Sequence, residues 1–267
     1  MRFDEAAVAA ATDAGVARYG ETEWRTRVDL AACYRLVDHF GMCDLVSNHI
    51  SARVPGTEHF LINPFGMMYE EISASSLIKV DIAGKIIDNP NADYTINQAG
   101  YVIHSAVHEA RPDAGCVLHT HTVAGIAVST LECGILPISQ SAMRFANIAY
   151  HDFEGVAFDE EEKKTLVRDL GNADAMVLRN HGLLVASADI AQAFNTIYRL
   201  ERVCQIQVAA MACNSPLTIP SDELVQKAHG QYMANPAAVG KKAQPLGRME
   251  WPAMLRLLDR RDASFRL

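Results

Sequence analysis

The sequence has no excess of positive charge: 32 acidic residues outweigh 24 basic ones, for a formal net charge of −8. Nucleic acid and anionic membrane surfaces select basic footprints, so neither is an expected partner. No apolar run approaches the roughly 20 residues that a membrane span requires. The start, Met1-Arg2-Phe3-Asp4-Glu5-Ala6, carries acids where a secretory leader carries a basic start and an apolar core. Six cysteines, at 33, 43, 116, 133, 204 and 213, form no CxxC pair. Reduced thiols in a cytoplasm are the expectation from these two facts. Internal repeats and low-complexity linkers are also missing. What is there is an ordinary globular composition, 49% apolar and 21% charged over 267 residues. That is enough for a sizeable core in one α/β domain with helical additions at both ends.

Residues 1–24 are Ala-rich, carry no clear turn, and predict a loose or weakly helical N-terminal arm. From Trp24 to Phe40 apolar residues recur at helical spacing, with Gly41 at the C-cap position. Leu45 to Val54 then alternates as a strand, turned by Pro55-Gly56 towards a partner at Phe60-Leu61-Ile62. Leu77–Asp81 and Lys85–Ile87 flank a turn at Ile82-Ala83-Gly84, as a hairpin would. Thr95-Ile96-Asn97-Gln98 has the form of a capping box, opening a helix that ends by Arg111 because Pro112 follows. Gly100, His104 and His108 fall four apart and share one face of it. A strand through His119 and His121 comes next, then a short helix over 123–130 and a tract ending Ala149-Tyr150-His151-Asp152. Asp159–Leu170 predicts an amphipathic helix whose four leading acids suit the dipole's positive end. Strands at 175–178 and 183–186 flank Asn180-His181-Gly182. Asp189 or Ser187 caps a long helix from Ile190 to about Met211, and two shorter helices follow.

The chemistry concentrates in Cys116-Val117-Leu118-His119-Thr120-His121-Thr122. Alternate residues of an extended segment face one side, so the imidazoles of His119 and His121 can converge beyond the strand end. Neutral imidazole is a common metal ligand. Two readings are open on the local pattern: a metal pair, or strand-end histidines bonded to backbone. A second apolar run ends in a His-Gly turn at Leu178-Arg179-Asn180-His181-Gly182 and supplies a third donor. The expectation is one divalent metal held by His119, His121 and His181. Cys116 reads as a small core residue.

Several separated segments resemble, in order, the motifs of the class II aldolase/adducin family. They are Ser47-Asn48-His49-Ile50-Ser51, then Ala110-Arg111-Pro112-Asp113 ahead of His119-Thr120-His121, then Asn180-His181-Gly182. The resemblance covers roughly residues 25–235, leaving 1–24 as an arm and 236–267 as a C-terminal helical extension. It implies an α/β fold of three αβα layers with a central, largely antiparallel sheet. It further implies one divalent metal ion (Zn, Mn, Co or Fe) and a homotetramer with active sites at subunit boundaries. One departure matters. In the register set by His104 and Arg111-Pro112-Asp113, Gln98-Ala99-Gly100 stands where the sugar-phosphate aldolases carry Ser-Ser-Glu. The phosphate-binding hydroxyls and the acid/base carboxylate are both missing, and glycine can neither accept a proton nor ligate a metal. The pattern is closer to the adducin-like branch, which includes metal-dependent decarboxylases, oxygenase-like proteins and the non-catalytic adducin head domain.

The expected activity is therefore a metal-dependent carbon–carbon lyase, of decarboxylase or retro-aldol type, for a small carboxylated, non-phosphorylated substrate. An iron-dependent oxygenase on the same three histidines and a non-catalytic binding module are the alternatives. His104 is the first candidate to return a proton to carbon, and Asn48 the candidate catalytic hydrogen-bond donor. His49, Gln98 and Arg144 are placed with substrate binding, Arg144 because its planar fork suits a carboxylate. Competing readings are an interface histidine for His104, a turn residue for His49 and an exposed salt bridge for Arg144. Tyr101, His108, His151 and His229 are assigned structural roles. Restoring the carboxylate with Gly100→Glu is expected to tighten metal binding.

Overall fold

The computed structural model describes residues 5–155, 160–234 and 245–267. Its first helix, α1 (Glu5–Tyr19), is a regular one where composition alone predicts a loose or weakly helical arm. The cause is tertiary: Gly15 lies flat on the indole of Trp24, where a Cβ would come within 2.3 Å of the ring, and Tyr19 stacks on the same ring. Gly20, at φ 80, turns the chain into α2 (Glu21–His39). Strand β1 (His49–Arg53) starts later than the alternation suggests, because Leu45 adopts a left-handed φ of 47 and breaks the extended run. The chain continues through β2 (His59–Ile62), β3 (Ile78–Asp81) and β4 (Ile86–Asp88) to α3 (Gln98–Ala110). The cap of α3 is Asn97, whose Oδ1 accepts from Gly100 N, while Thr95 of the expected capping box pairs with Phe65 in an isolated bridge. Such a cap contributes about 1 kcal/mol.

Next come β5 (Cys116–Thr120), the short α4 (Val123–Ser129), β6 (Ala149–His151), α5 (Glu160–Leu170), β7 (Ala175–Leu178) and β8 (Gly182–Ser187). Asp159 of the expected acidic helix start lies outside the described residues. Asp189, not Ser187, caps α6 (Ile190–Ala212) by accepting from Gln192 N. The chain ends in α7 (Asp222–Met233) and α8 (Trp251–Arg261). Phe265, beyond α8, is fully buried, and its carbonyl accepts from Ala74 N.

The strands form one eight-stranded sheet in the order β4-β3-β2-β1-β5-β8-β7-β6, antiparallel throughout except for the parallel β6–β7 pair. Both faces bury apolar residues at alternate positions, as a period of two requires. Ile50, Ala52, Cys116, Leu118, Leu183 and Val185 pack under α2, α4 and α6. On the other face Val117, Met176, Leu178 and Leu184 meet Ile103 and Val107 of α3 and Leu166 and Leu170 of α5. This is the three-layer αβα architecture with a largely antiparallel sheet that the resemblance implied. No helix among the described residues is long and apolar enough to cross a membrane.

Candidate metal centre

The site grows from two strand ends. β5 stops at Thr120, so His119 sits on the α3 face of the sheet and His121 one step past the edge. The β7–β8 hairpin pairs Leu178 with Gly182, leaving Arg179-Asn180-His181 as its turn. Asn180 takes a φ of 57, which Asn tolerates better than other residues with a side chain. At Gly182 a Cβ would lie 2.4 Å from the carbonyl oxygen of Thr120, so only glycine lets β8 close on β5 there. These two backbone requirements carry His181 to the end of β5. The three Nε2 atoms converge: 2.7 Å between His119 and His121, 3.0 Å between His121 and His181, and 3.2 Å between His119 and His181.

The far sides of the rings fix their protons. His119 Nδ1 lies 2.9 Å from the carbonyl of Leu183, which can only accept, so Nδ1 donates and Nε2 is bare. His121 Nδ1 is 3.2 Å from Asp44 Oδ2 and donates likewise. Asp44 is held by Asn48, whose Oδ1 accepts from its backbone N–H at 2.7 Å. Burial pushes the His119 pKa well down, and burial with the neighbouring His121 brings His181 to about 4. With each Nδ1 donating outward, the Nε2 atoms of His119 and His121 face each other and His181 completes the triangle. A cation at the centre satisfies all three. Tetrahedral ligation at about 2.0–2.1 Å sets nitrogens about 3.3 Å apart, so the His181 spacings of 3.0 and 3.2 Å need little change and the His119–His121 spacing of 2.7 Å must open. The donor set fits a divalent metal, with a carboxylate–histidine partner of the kind that orients metal ligands.

Beside it runs a buried polar chain. His49 pairs with His119 across β1 and β5, the ring centroids 5.6 Å apart. His49 Nδ1 is 2.8 Å from His104 Nε2, His104 Nδ1 is 2.6 Å from Ser51 Oγ, and Ser51 Oγ is 2.8 Å from His108 Nε2. His108 Nδ1 ends the chain on the carbonyl of Ala114 at 3.2 Å. Gly100, His104 and His108 do share one face of α3, and that face lies on His49 and Ser51 of β1.

This placement corrects several expectations. His104 is 0% exposed and has both ring nitrogens engaged, by His49 and by Ser51, so neither is left to meet a substrate. At Gly100 a Cβ would meet His49 Nε2 at 2.0 Å, so Gly100→Glu displaces His49 instead of repairing the site. Asn48 is 1% exposed and is spent on holding Asp44; its Nδ2 finds no partner among the described residues. Arg144 donates to Asn195 Oδ1 and Thr196 Oγ1, each at 2.8 Å, and lines a pocket of about 410 Å³ with His229 and Tyr232, apart from the histidine cluster. Gln98 is exposed on the first turn of α3, next to Gly84 of the β3–β4 turn. The Tyr101 hydroxyl donates to the carbonyl of Asp81, and His229 Nδ1 donates to that of Arg144 at 3.0 Å.

Two pairings carry no signal in the sequence. Asp44 lies in a non-periodic turn, where only its closeness to Asn48 marks it. His151 Nδ1 is 2.8 Å from Asp169 Oδ2, and its buried Nε2, beside His181, has no partner among the described residues. A histidine ending a strand and an acid in the following helix carry no spacing signal.

Residues 28–208 match the family model described as Class II Aldolase and Adducin N-terminal domain. A Pseudomonas aeruginosa protein provisionally assigned to aldolase class 2 is 48% identical over 252 residues, 94% of this chain and 95% of the relative. Alpha-adducin of Mus musculus is 44% identical over 253 residues, 90% of this chain but 34% of the adducin. Among solved structures, an aldolase II superfamily protein from Pseudomonas syringae matches with a TM-score of 0.87 at 46% identity, covering 94% of this chain and 98% of that one. An L-fuculose 1-phosphate aldolase from Glaciozyma antarctica matches with a TM-score of 0.79 at 25% identity, over 93% and 94%. Motif order, sheet topology and these likenesses agree: the chain belongs to the class II aldolase and adducin family.

Proposed function

We propose that the protein is a metal-dependent carbon–carbon lyase, of decarboxylase or retro-aldol type, acting on a small carboxylated substrate that carries no phosphate. The observation that carries this reading is the triangle of Nε2 atoms at 2.7–3.2 Å, with Leu183 and Asp44 accepting from the Nδ1 atoms of His119 and His121 and so turning their Nε2 atoms inward. A divalent cation held by His119, His121 and His181 supplies a Lewis acid for a chelated carboxylate and its neighbouring oxygen. Of Zn, Mn, Co and Fe, an all-imidazole set suits Zn and Fe best. The chain's own residues orient the ligands: Leu183 and Asp44 fix two rings, and Asn48 fixes Asp44. At the first turn of α3, Gly100 N is already taken by Asn97 and no hydroxyl side chain stands at 98–100, which supports a substrate without phosphate.

A homotetramer with the site at a subunit boundary belongs to the same proposal. Leu45, Val123 and Phe153 are exposed apolar residues, each within two positions of Asp44, His121 or His151, and such a rim suits cover by a neighbouring subunit. A cytoplasmic location is proposed with it, supported by six free cysteines.

The test is elemental analysis of protein purified without added metal. It is followed by a screen of hydroxy acids, keto acids and carboxylated aromatics for CO₂ release or aldol cleavage with Mn, Zn, Co or Fe. Turnover that tracks metal content supports the lyase. Iron with oxygen consumed on turnover would favour an oxygenase on the same ligands. The 44% identity to mouse alpha-adducin, over 90% of this chain and 34% of the adducin, gives a non-catalytic binding module standing as a second reading, and a chain that takes up no metal would favour it.

A further inference from the structure

The chain His49–His104–Ser51–His108 lies between β1 and α3, and the proposed ligand set makes no use of it. One end is fixed. The carbonyl of Ala114 can only accept, so His108 Nδ1 carries a proton. In a neutral ring His108 Nε2 is then a lone pair, and Ser51 Oγ, 2.8 Å away, donates to it. Having given its single hydrogen, Ser51 accepts from His104 Nδ1 at 2.6 Å. That leaves His104 Nε2 bare, and it accepts from His49 Nδ1 at 2.8 Å. His49 ends with an unprotonated Nε2.

All three rings are buried, 5%, 0% and 1% exposed for His49, His104 and His108, and their partners along the chain include no carboxylate, so a charge on any of them is disfavoured. The Arg53 guanidinium, which donates to the carbonyl of His108, adds to the cost of a charge on that ring. His49 Nε2 bonds no group among the described residues and rests in the room that Gly100 leaves by having no side chain.

We infer that this chain is a tautomer lock. The Ala114 carbonyl, acting through His108, Ser51 and His104, presents His49 Nε2 as a standing hydrogen-bond acceptor beside His119, so the site takes a substrate that offers a hydroxyl rather than a carbonyl oxygen at that point. His104, Ser51 and His108 are positioning residues; His49 is the group that meets the ligand. The inference rests on the histidine cluster being the substrate site, and it narrows the substrate from carboxylates in general to hydroxy acids.

Long-range ¹H–¹⁵N correlation spectra of the full-length protein, as purified and after dialysis against EDTA, read the tautomer of each ring, with His49 identified by the signals lost in His49→Gln. The expected result is a single His49 tautomer, protonated at Nδ1 and bare at Nε2, in both samples. A proton on Nε2 overturns the lock. Ser51→Ala removes the hydroxyl link and is expected to leave His49 as a mixture of tautomers, whereas Ser51→Thr keeps the hydroxyl and the single form. A His49 that stays single in Ser51→Ala also overturns it. The wild-type spectrum needs no metal and no turnover. A chain with neither, but with His49 locked, therefore sinks the lyase reading, and the hydroxy-acid preference with it, while the tautomer lock stands.

Discussion

The imidazole of His49 occupies the space that a side chain on residue 100 would need: a Cβ there would lie 2.0 Å from His49 Nε2. The ring cannot yield cheaply, because His104 holds its Nδ1 at 2.8 Å. In an exposed helix, Gly→Ala stabilises by up to about 1 kcal/mol. Gly100→Ala is expected to do the reverse and cost about 1–3 kcal/mol, the range for overpacking a core. Urea denaturation measures it, and a variant as stable as the parent would show that the ring is free to move.

Asp44 reaches His121 Nδ1 at 3.2 Å and is the carboxylate partner of the proposed ligand set. Asp44→Ala is expected to weaken metal binding by about 10–100-fold, as loss of such partners does, with the fold intact. Titration against a chelator of known affinity checks this. Equal affinity in the two proteins would remove Asp44 from the site.

The buried histidines make the fold acid-labile. His49 and His108 ionise at about 3 in the native state, and His104 also far below normal, all chiefly through burial. Unfolded, each ionises near pH 6.5. Between these limits the unfolded chain binds more protons, so stability is full above about pH 6.5 and falls as pH drops towards about 3. Thermal melts in EDTA should show Tm steady from pH 8 to 7 and falling steeply below 6. A Tm flat to pH 4.5 would mean that the three rings are charged or exposed.

Arg144 is a carboxylate receptor by sequence and an α6 anchor by structure. Its guanidinium donates to Asn195 and Thr196, and Arg144→Ala leaves those buried groups unpaired. The expected cost is about 1–3 kcal/mol of stability, with metal content unchanged. Loss of metal without loss of stability would return Arg144 to the site.

The sheet, the long helices and the three converging histidines were legible because each has a period or a motif: alternation at 116–121, a capped periodic run at 190–212, a His-Gly turn at 181–182. Glycine carried a second layer of meaning that sequence could not separate. Gly182 permits a backbone approach to Thr120, whereas Gly100 makes room for a ring from another element. The spacing of His104 and His108 puts them on one face, but which groups that face meets depends on β1 lying beneath α3. Only the register that pairs His49 with His119 decides it. The regularity of helix α1 is hidden for a similar reason, since its order comes from packing on Trp24 rather than from its own composition.

The central claim is that imidazoles from β5 and from the β7–β8 turn hold one cation. Elemental analysis of the wild type and of His181→Ala, both loaded with Zn and desalted, tests it most directly. One Zn per wild-type chain and almost none in the variant, with both melting cooperatively, is the predicted result. A wild type that retains no metal, or a variant that keeps its full share, contradicts the account.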